Sequence, residues 1–284
     1  MGGKATVAPI TGADLTDVGA FMSSRLNPRV SATAWSSALT VPWHVDSPNH
    51  GFLLRDPAGQ VAGAYLAYYS RREVAGEVVD VCNLGAWCVD EEHRFAGVRL
   101  LTAVVGQPGY HFTDLSPSGN VIPLNRKLKF VELDTRTDLV PHLLRACSCR
   151  ISFVPERIDE VLEGKDRELW EDHRNAAAAI HAVVTVGRKH CYVMVRKDTR
   201  RRVRAFSSVL HVGNRELFHE HACCLGGRLL RHGCAATLVE RHVSMGAPRG
   251  ARPIRQNRPK MFRSPTWTAN DVDYLYSELT CLKW

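Results

Sequence analysis

No run of the 284 residues approaches the ~20 apolar positions needed to cross a bilayer. Met1 to Ile10 lacks the continuous apolar core of a secretory signal. The expected location is therefore the cytoplasm, with no membrane partner. A Gly-x-Ser-x-Gly nucleophile elbow and a Walker phosphate loop are both missing, which argues against serine hydrolases and P-loop nucleotidases. No known DNA or RNA module occurs, and no long low-complexity tail. Cysteine is present but in odd number: Cys82, Cys88, Cys147, Cys149, Cys191, Cys223, Cys224, Cys234 and Cys281. Without a short secreted scaffold around them, reduced and mostly buried thiols are expected.

A metal site is not expected either. In His219-Glu-His-Ala-Cys-Cys224, helical geometry points His219 and His221 in different directions, while His219 and Cys223, four apart, could pair. Two ligands without a matching pair do not make a zinc site, and Cys147 and Cys149 have no better spacing.

What is present describes a globular chain, 45% hydrophobic and 23% charged, long enough for one large domain or two ordinary ones. Its formal charge of +8 favours acidic partners, among them a polyanionic cofactor. The densest basic run, Arg196 to Arg204, lies between two apolar segments and reads as a solvated hairpin tip, without the interleaved aromatics of a nucleic-acid surface.

Thr11 to Leu26 reads as a first helix capped by Thr11 and stopped by Asn27-Pro28. Ala34 to Pro48 reads as loop, with Trp35, Trp43 and His44 as core or pocket aromatics. Asp56-Pro-Ala-Gly59 is a turn between Phe52–Leu54 and Val61–Tyr69. A strand over Val78–Val89, a helix over Glu92–Val105 and a strand over Tyr110–Asp114 follow. The pattern recurs about 140 residues later. Tyr192–Arg196 and Val203–Val212 flank a charged turn, a helix covers Glu216–Leu230, and a strand covers Ala235–Val239. Gly226 and Gly227 sit mid-helix, where they suit close packing. The predicted class is α/β (α+β), a mixed, mostly antiparallel sheet flanked by helices and duplicated, with halves at 1–145 and 146–284.

Trp87 to Leu101 carries the chemistry. A strand ending at Val89 runs into a turn that opens an apolar-faced helix, where unpaired backbone N–H groups and the peptide dipoles favour an anion. Gly97 allows close approach to the backbone, and Arg94 and Arg99 add charge. Arg94-Phe-Ala-Gly97-Val-Arg99 resembles the Arg/Gln-x-x-Gly-x-Gly/Ala signature of the Gcn5-related N-acetyltransferase superfamily. Val89 stands at its apolar strand end, with Glu92 and His93 at positions often acidic and aromatic. Arg99 replaces the last small residue and Glu91 a frequent proline. Phe112 to Val131 resembles the following strand, helix and closing turn, with Asn120 and Phe130 in place. Pro123 implies a broken or late-starting helix. Asn125 and Lys129 occupy the usual Tyr and Gly positions, so the proton-donating tyrosine is missing.

The resemblance implies an acyl-CoA acyltransferase-like fold and transfer of an acyl group from acetyl-CoA or another acyl-CoA to a small-molecule or peptide amine. It places the donor on Trp87, Cys88, Val89, Arg94, Phe95, Ala96, Gly97, Val98, Arg99, Leu100 and Asn120. Glu73, Glu77 and Asp80 are the candidate bases, on a hairpin whose ordinary reading is a solvated one. The alternative is a non-catalytic ligand-sensing or interaction domain. The second half has no equivalent motif, since Asn214-Arg215 is a poor substitute.

Overall fold

The computed structural model describes residues 4–74, 76–144, 146–200, 202–255 and 258–283. They cluster into two compact units, one of 4–132, 260–272 and 276–283, the other of 133–259 and 273–275. The division expected at 145/146 thus moves to 132/133, and the C-terminal segment rejoins the first unit.

The first unit begins with β1 (Thr6–Pro9), α1 (Leu15–Arg25), α2 (Ala32–Ala38), β2 (Gly51–Arg55), β3 (Val61–Val74), β4 (Glu77–Val89), α3 (Gly97–Val105), β5 (Tyr110–Asp114), α4 (Ile122–Lys127) and β6 (Val131–Glu132). The Thr11 amide and hydroxyl both donate to the Asp14 carboxylate, at 2.9 and 2.6 Å, and set the turn into α1. The Asp56 carboxylate accepts from the Gln60 amide at 2.9 Å and closes the β2–β3 turn. Ala32–Ala38 is helical where a loop was expected, because the Ser31 hydroxyl accepts from the Ala34 amide and caps it. Trp35 and Trp43 are buried in the core, and Trp43 Nε1 donates to the Tyr69 carbonyl at 2.8 Å; His44 is exposed. Pro123 falls in the first turn of α4, where its missing N–H costs nothing. Leu84, Leu100, Leu101, Val104, Phe112 and Phe130 join the sheet to α3 in one apolar core.

The second unit holds β7 (Thr137–Pro141), β8 (Arg150–Ser152), α5 (Pro155–Val161), α6 (Gly164–His173), β9 (Ala179–Val186), β10 (Lys189–Arg200), β11 (Val203–Val212), α7 (Arg215–Leu229), β12 (Ala236–Glu240), α8 (Arg241–Ser244) and β13 (Arg252–Pro253). Asn214 caps α7 by accepting from the Leu217 amide at 3.1 Å. The Arg196–Arg204 run does lie in a hairpin, β10 paired with β11, and Lys197, Arg202 and Arg204 are exposed, but β10 extends to Arg200, and Arg196 and Asp198 are buried rather than solvated. Asp198 accepts from Ser208 Oγ at 2.6 Å and pairs with Arg258 at 2.9 Å, so part of that charge is neutralised internally. Gly226 does serve packing, since a Cβ there would lie 2.5 Å from the His142 ring. Cys147 and Cys224 are disulfide-bonded, with Cα atoms 6.0 Å apart, which corrects the expectation of reduced thiols at these two positions.

The returning segment supplies β14 (Met261–Arg263) and α9 (Glu278–Cys281) to the first unit. The first sheet runs β1-β2-β3-β4-β5-β14-β6, the second β8-β9-β10-β11-β12-β7-β13. In each, four antiparallel strands lead through a helix to a strand parallel with the fourth, β5 beside β4 and β12 beside β11. An antiparallel strand then follows, β14 in the first sheet and β7 in the second. No helix among the described residues is long and apolar enough to cross a membrane.

Candidate active site

β4 and β5 run side by side only as far as the Leu84–Asp114 pair, whereas β4 continues to Val89. Beyond Leu84 the strand keeps its ladder to β3, through Tyr65–Trp87, Ala64–Cys88 and Gly63–Val89, but has no ladder partner on the β5 side. A bulge sets Gly85 and Ala86 opposite the single residue Leu66 and bends the strand away. The two strands therefore open a cleft of about 290 Å³, lined by Tyr65, Gly85, Ala86, Trp87 and Asp114 and closed at its rim by Leu26, Asn27, Ser116–Ser118 and Val121. The Trp87 and Tyr65 rings stack with centroids 5.0 Å apart, and Trp87 Nε1 is buried without a hydrogen-bond partner.

Asp114 ends β5 at the point of parting and is only 2% exposed. Burial pushes its carboxyl up to about 8; the nearby Glu278 adds to this, while hydrogen bonds from Asn125 and the Ser116 backbone work against it. Asn125 Nδ2 donates to Asp114 Oδ2 at 2.8 Å. Glu278, fully buried, accepts from Asn83 Nδ2 and, at 2.6 Å, from Ser116 Oγ, and Thr113 Oγ1 donates to Asn83 Oδ1 at 2.9 Å. A carboxyl that holds its proton near neutral pH and borders an open cleft can both give and take one.

No protein-family model matches the sequence, and no curated protein matches it significantly. Solved structures do. A GCN5-related N-acetyltransferase from Anabaena variabilis superposes with a TM-score of 0.58 at 10% identity, over 92% of this chain and 72% of that one. Those from Kribbella flavida (TM-score 0.53, 14% identity, 92% and 71%) and Sphaerobacter thermophilus (0.51, 12%, 92% and 95%) are similar. The chain has the GCN5-related N-acetyltransferase fold. The parting of β4 from β5 and the helix after β4 sit within that fold, and the residues expected to serve it can be placed.

The expected phosphate-binding turn is not an open turn in this GCN5-related fold. Residues Glu91–Ala96 form a 3-10 helix that runs straight into α3. The His93 amide donates to the Asp90 carbonyl, and the Gly97 amide to the Arg94 carbonyl, so these two nitrogens are already engaged. Gly97 sits close against its neighbours: a Cβ there would lie 3.1 Å from Val89 Cγ2 and 3.3 Å from Trp87 Cζ2, a tight fit. Arg99, in place of the last small residue of the motif, donates through its Nη1 to the Ala5 carbonyl at 2.7 Å. Arg94 lies over the ring of Phe95, which is 85% exposed; Val98 is exposed, whereas Leu100 is core and Ala96 packs against it. Cys88 and Val89 are half-buried at the strand end, and Asn120 is exposed in the turn before α4.

The three carboxylates expected as bases lie toward the end of β4 away from this cleft. Glu73 and Glu77 are exposed at the β3–β4 hairpin, and Asp80 precedes Leu84 by four residues, about 13 Å along a strand. Asn125 does not line the cleft; it is fully buried and holds Asp114. Tyr65, Asp114 and Glu278 were not anticipated. Asp114 closes an apolar strand and Glu278 stands 164 residues further on, so only the ladder and α9 bring them to one place. A larger open cavity, about 960 Å³, lies along α1 and residues 90–93. Asp17, Asp56, Asp90, Glu91 and Glu92 outnumber Arg25 and Arg55 in its lining, so it suits a cation better than a phosphate.

Proposed function

We propose that the first unit transfers an acyl group from an acyl-CoA, acetyl-CoA in the simplest case, to a small-molecule or peptide amine. The observation that carries this reading is the open, one-sided edge of Gly85–Val89 beside a buried carboxyl. The donor supplies an activated carbonyl and a thiolate leaving group. Backbone groups of Gly85–Val89 suit the amides of an extended pantetheine arm, and the Tyr65–Trp87 stack supplies an apolar wall. The fit is poorer at the nucleotide end, where the helical 91–100 segment leaves the Arg94 side chain as the remaining charge from the expected set.

Asp114 takes the role that the missing tyrosine would have. Its proton passes to the departing sulfur as the C–N bond forms and the C–S bond breaks. The carboxylate left behind accepts a proton from the amine nitrogen, which returns Asp114 to its starting state. Asn125 and the Ser116 amide hold the carboxyl in place as positioning groups. Catalysis belongs to the first unit on this reading, because Glu240, which ends β12 as Asp114 ends β5, already accepts the Tyr274 hydroxyl at 2.5 Å.

Calorimetric titration with acetyl-CoA at low salt tests the donor site. Saturable one-site binding is expected, weakened by Arg94→Glu, together with thiol release in the presence of some member of an amine panel. No binding would sink the transferase reading. The second reading, a ligand-sensing domain, is favoured by the helical 91–96 segment and expects binding without thiol release.

A further inference from the structure

A group of sulfurs in the second unit plays no part in this chemistry. Cys147 and Cys149 flank Ser148 just before β8, and Cys224 stands on α7. Their three Sγ atoms all lie within 4.8 Å of one another. They line an open cavity of about 480 Å³ together with Arg228 and Arg231. The neighbouring candidates turn elsewhere: Cys223 Sγ donates to the Arg249 carbonyl at 3.3 Å, and His219 Nε2 bonds the Ser244 carbonyl at 2.8 Å.

Three sulfurs around one tetrahedral cation, with bonds of about 2.3 Å, stand about 3.8 Å apart, so the Cys147 and Cys224 sulfurs must separate once their bond is opened, while Cys149 already lies within 4.8 Å of both. Thiolates are soft donors and select thiophilic cations. Three of them with a dication leave one net negative charge, which the guanidinium groups of Arg228 and Arg231 can balance. The disulfide state offers no such site, because Cys147 and Cys224 are bonded to each other. A dithiol reductant opens that bond by supplying two electrons and two protons while closing to its own disulfide, and metal binding then displaces the thiol protons.

We propose that reduced Cys147, Cys149 and Cys224 form a three-thiolate site for a thiophilic divalent cation of the Zn²⁺ and Cd²⁺ class, with the fourth position open to the cavity, and that the Cys147–Cys224 disulfide closes it. This would correct the expectation that the chain holds no metal site. It does not depend on acyl transfer.

The test is a Cd²⁺ titration of the full chain, once after reduction with a phosphine that is then removed and once in the disulfide form. The reduced chain is expected to bind one Cd²⁺ with an ultraviolet thiolate-to-cadmium charge-transfer band, and the oxidised chain to show none. Alkylation followed by mass spectrometry reads the ligands in the unmodified chain, where Cd²⁺ should protect Cys147, Cys149 and Cys224 together. Cys149→Ser should weaken binding at least about tenfold, while Cys223→Ser leaves it unchanged. A missing band, protection that omits any of the three, equal binding by the disulfide form, or unaltered affinity in Cys149→Ser would overturn the site.

Discussion

On the proposed mechanism Asp114 carries both proton transfers, and its titration makes that role measurable. Because the fold raises this carboxyl to about 8, the native chain binds a proton that the unfolded chain has already lost above the ordinary carboxylate range. Its contribution to stability is whole below the ordinary carboxylate range, declines as pH rises from there, and is gone above about 8. Thermal melts should therefore fall over that window, and fall less in Asp114→Asn. Acting as a proton donor, the same group should make transfer slow down as pH rises through about 8. Asp114→Asn should lower turnover by roughly 10²-fold or more and remove that limb from the pH–rate profile, with acetyl-CoA affinity retained. Lys129 offers a purely structural counterpart. It stands at the position the family resemblance gives to glycine and has φ of +65°, so Lys129→Gly should stabilise by about 0.5–1 kcal/mol in urea unfolding.

Among the elements, the β4–α3 junction separates motif from mechanism. Strand, helix and strand were legible from apolar runs between Val78 and Asp114, and β5 has the bounds read from the sequence. At the junction the helix read over Glu92–Val105 is present, as a 3-10 turn over Glu91–Ala96 that runs into α3, so the Arg-x-x-Gly spacing that resembles a phosphate-binding turn here also starts a helix. Gly97→Val should cost about 1–3 kcal/mol through overpacking against Val89 and Trp87, seen as a lower urea midpoint. If the glycine served only ligand approach, donor affinity would fall while that midpoint stayed put. α2 was missed for a different reason: its seven residues are too few for a strong apolar period, and the cap at Ser31 carries it.

At the scale of the molecule, β14 completes the first sheet from the far end of the chain, between β5 and β6, and α9 brings Glu278 to the buried polar cluster. A chain ended after Pro259 loses both, and calorimetry should show the first unit's unfolding transition abolished or markedly lowered; an unchanged transition would contradict this account of the sheet. The sequence by itself determined the α/β class and the order of strands and helices around the β4–α3 junction, because periodicity, turn residues and caps act within a few positions of one another. Only tertiary structure decided where β4 parts from β5, which carboxyl lies at that point, where the units divide, and which cysteines meet. Those outcomes rest on contacts between residues from tens to well over a hundred positions apart, about which local spacing carries no information.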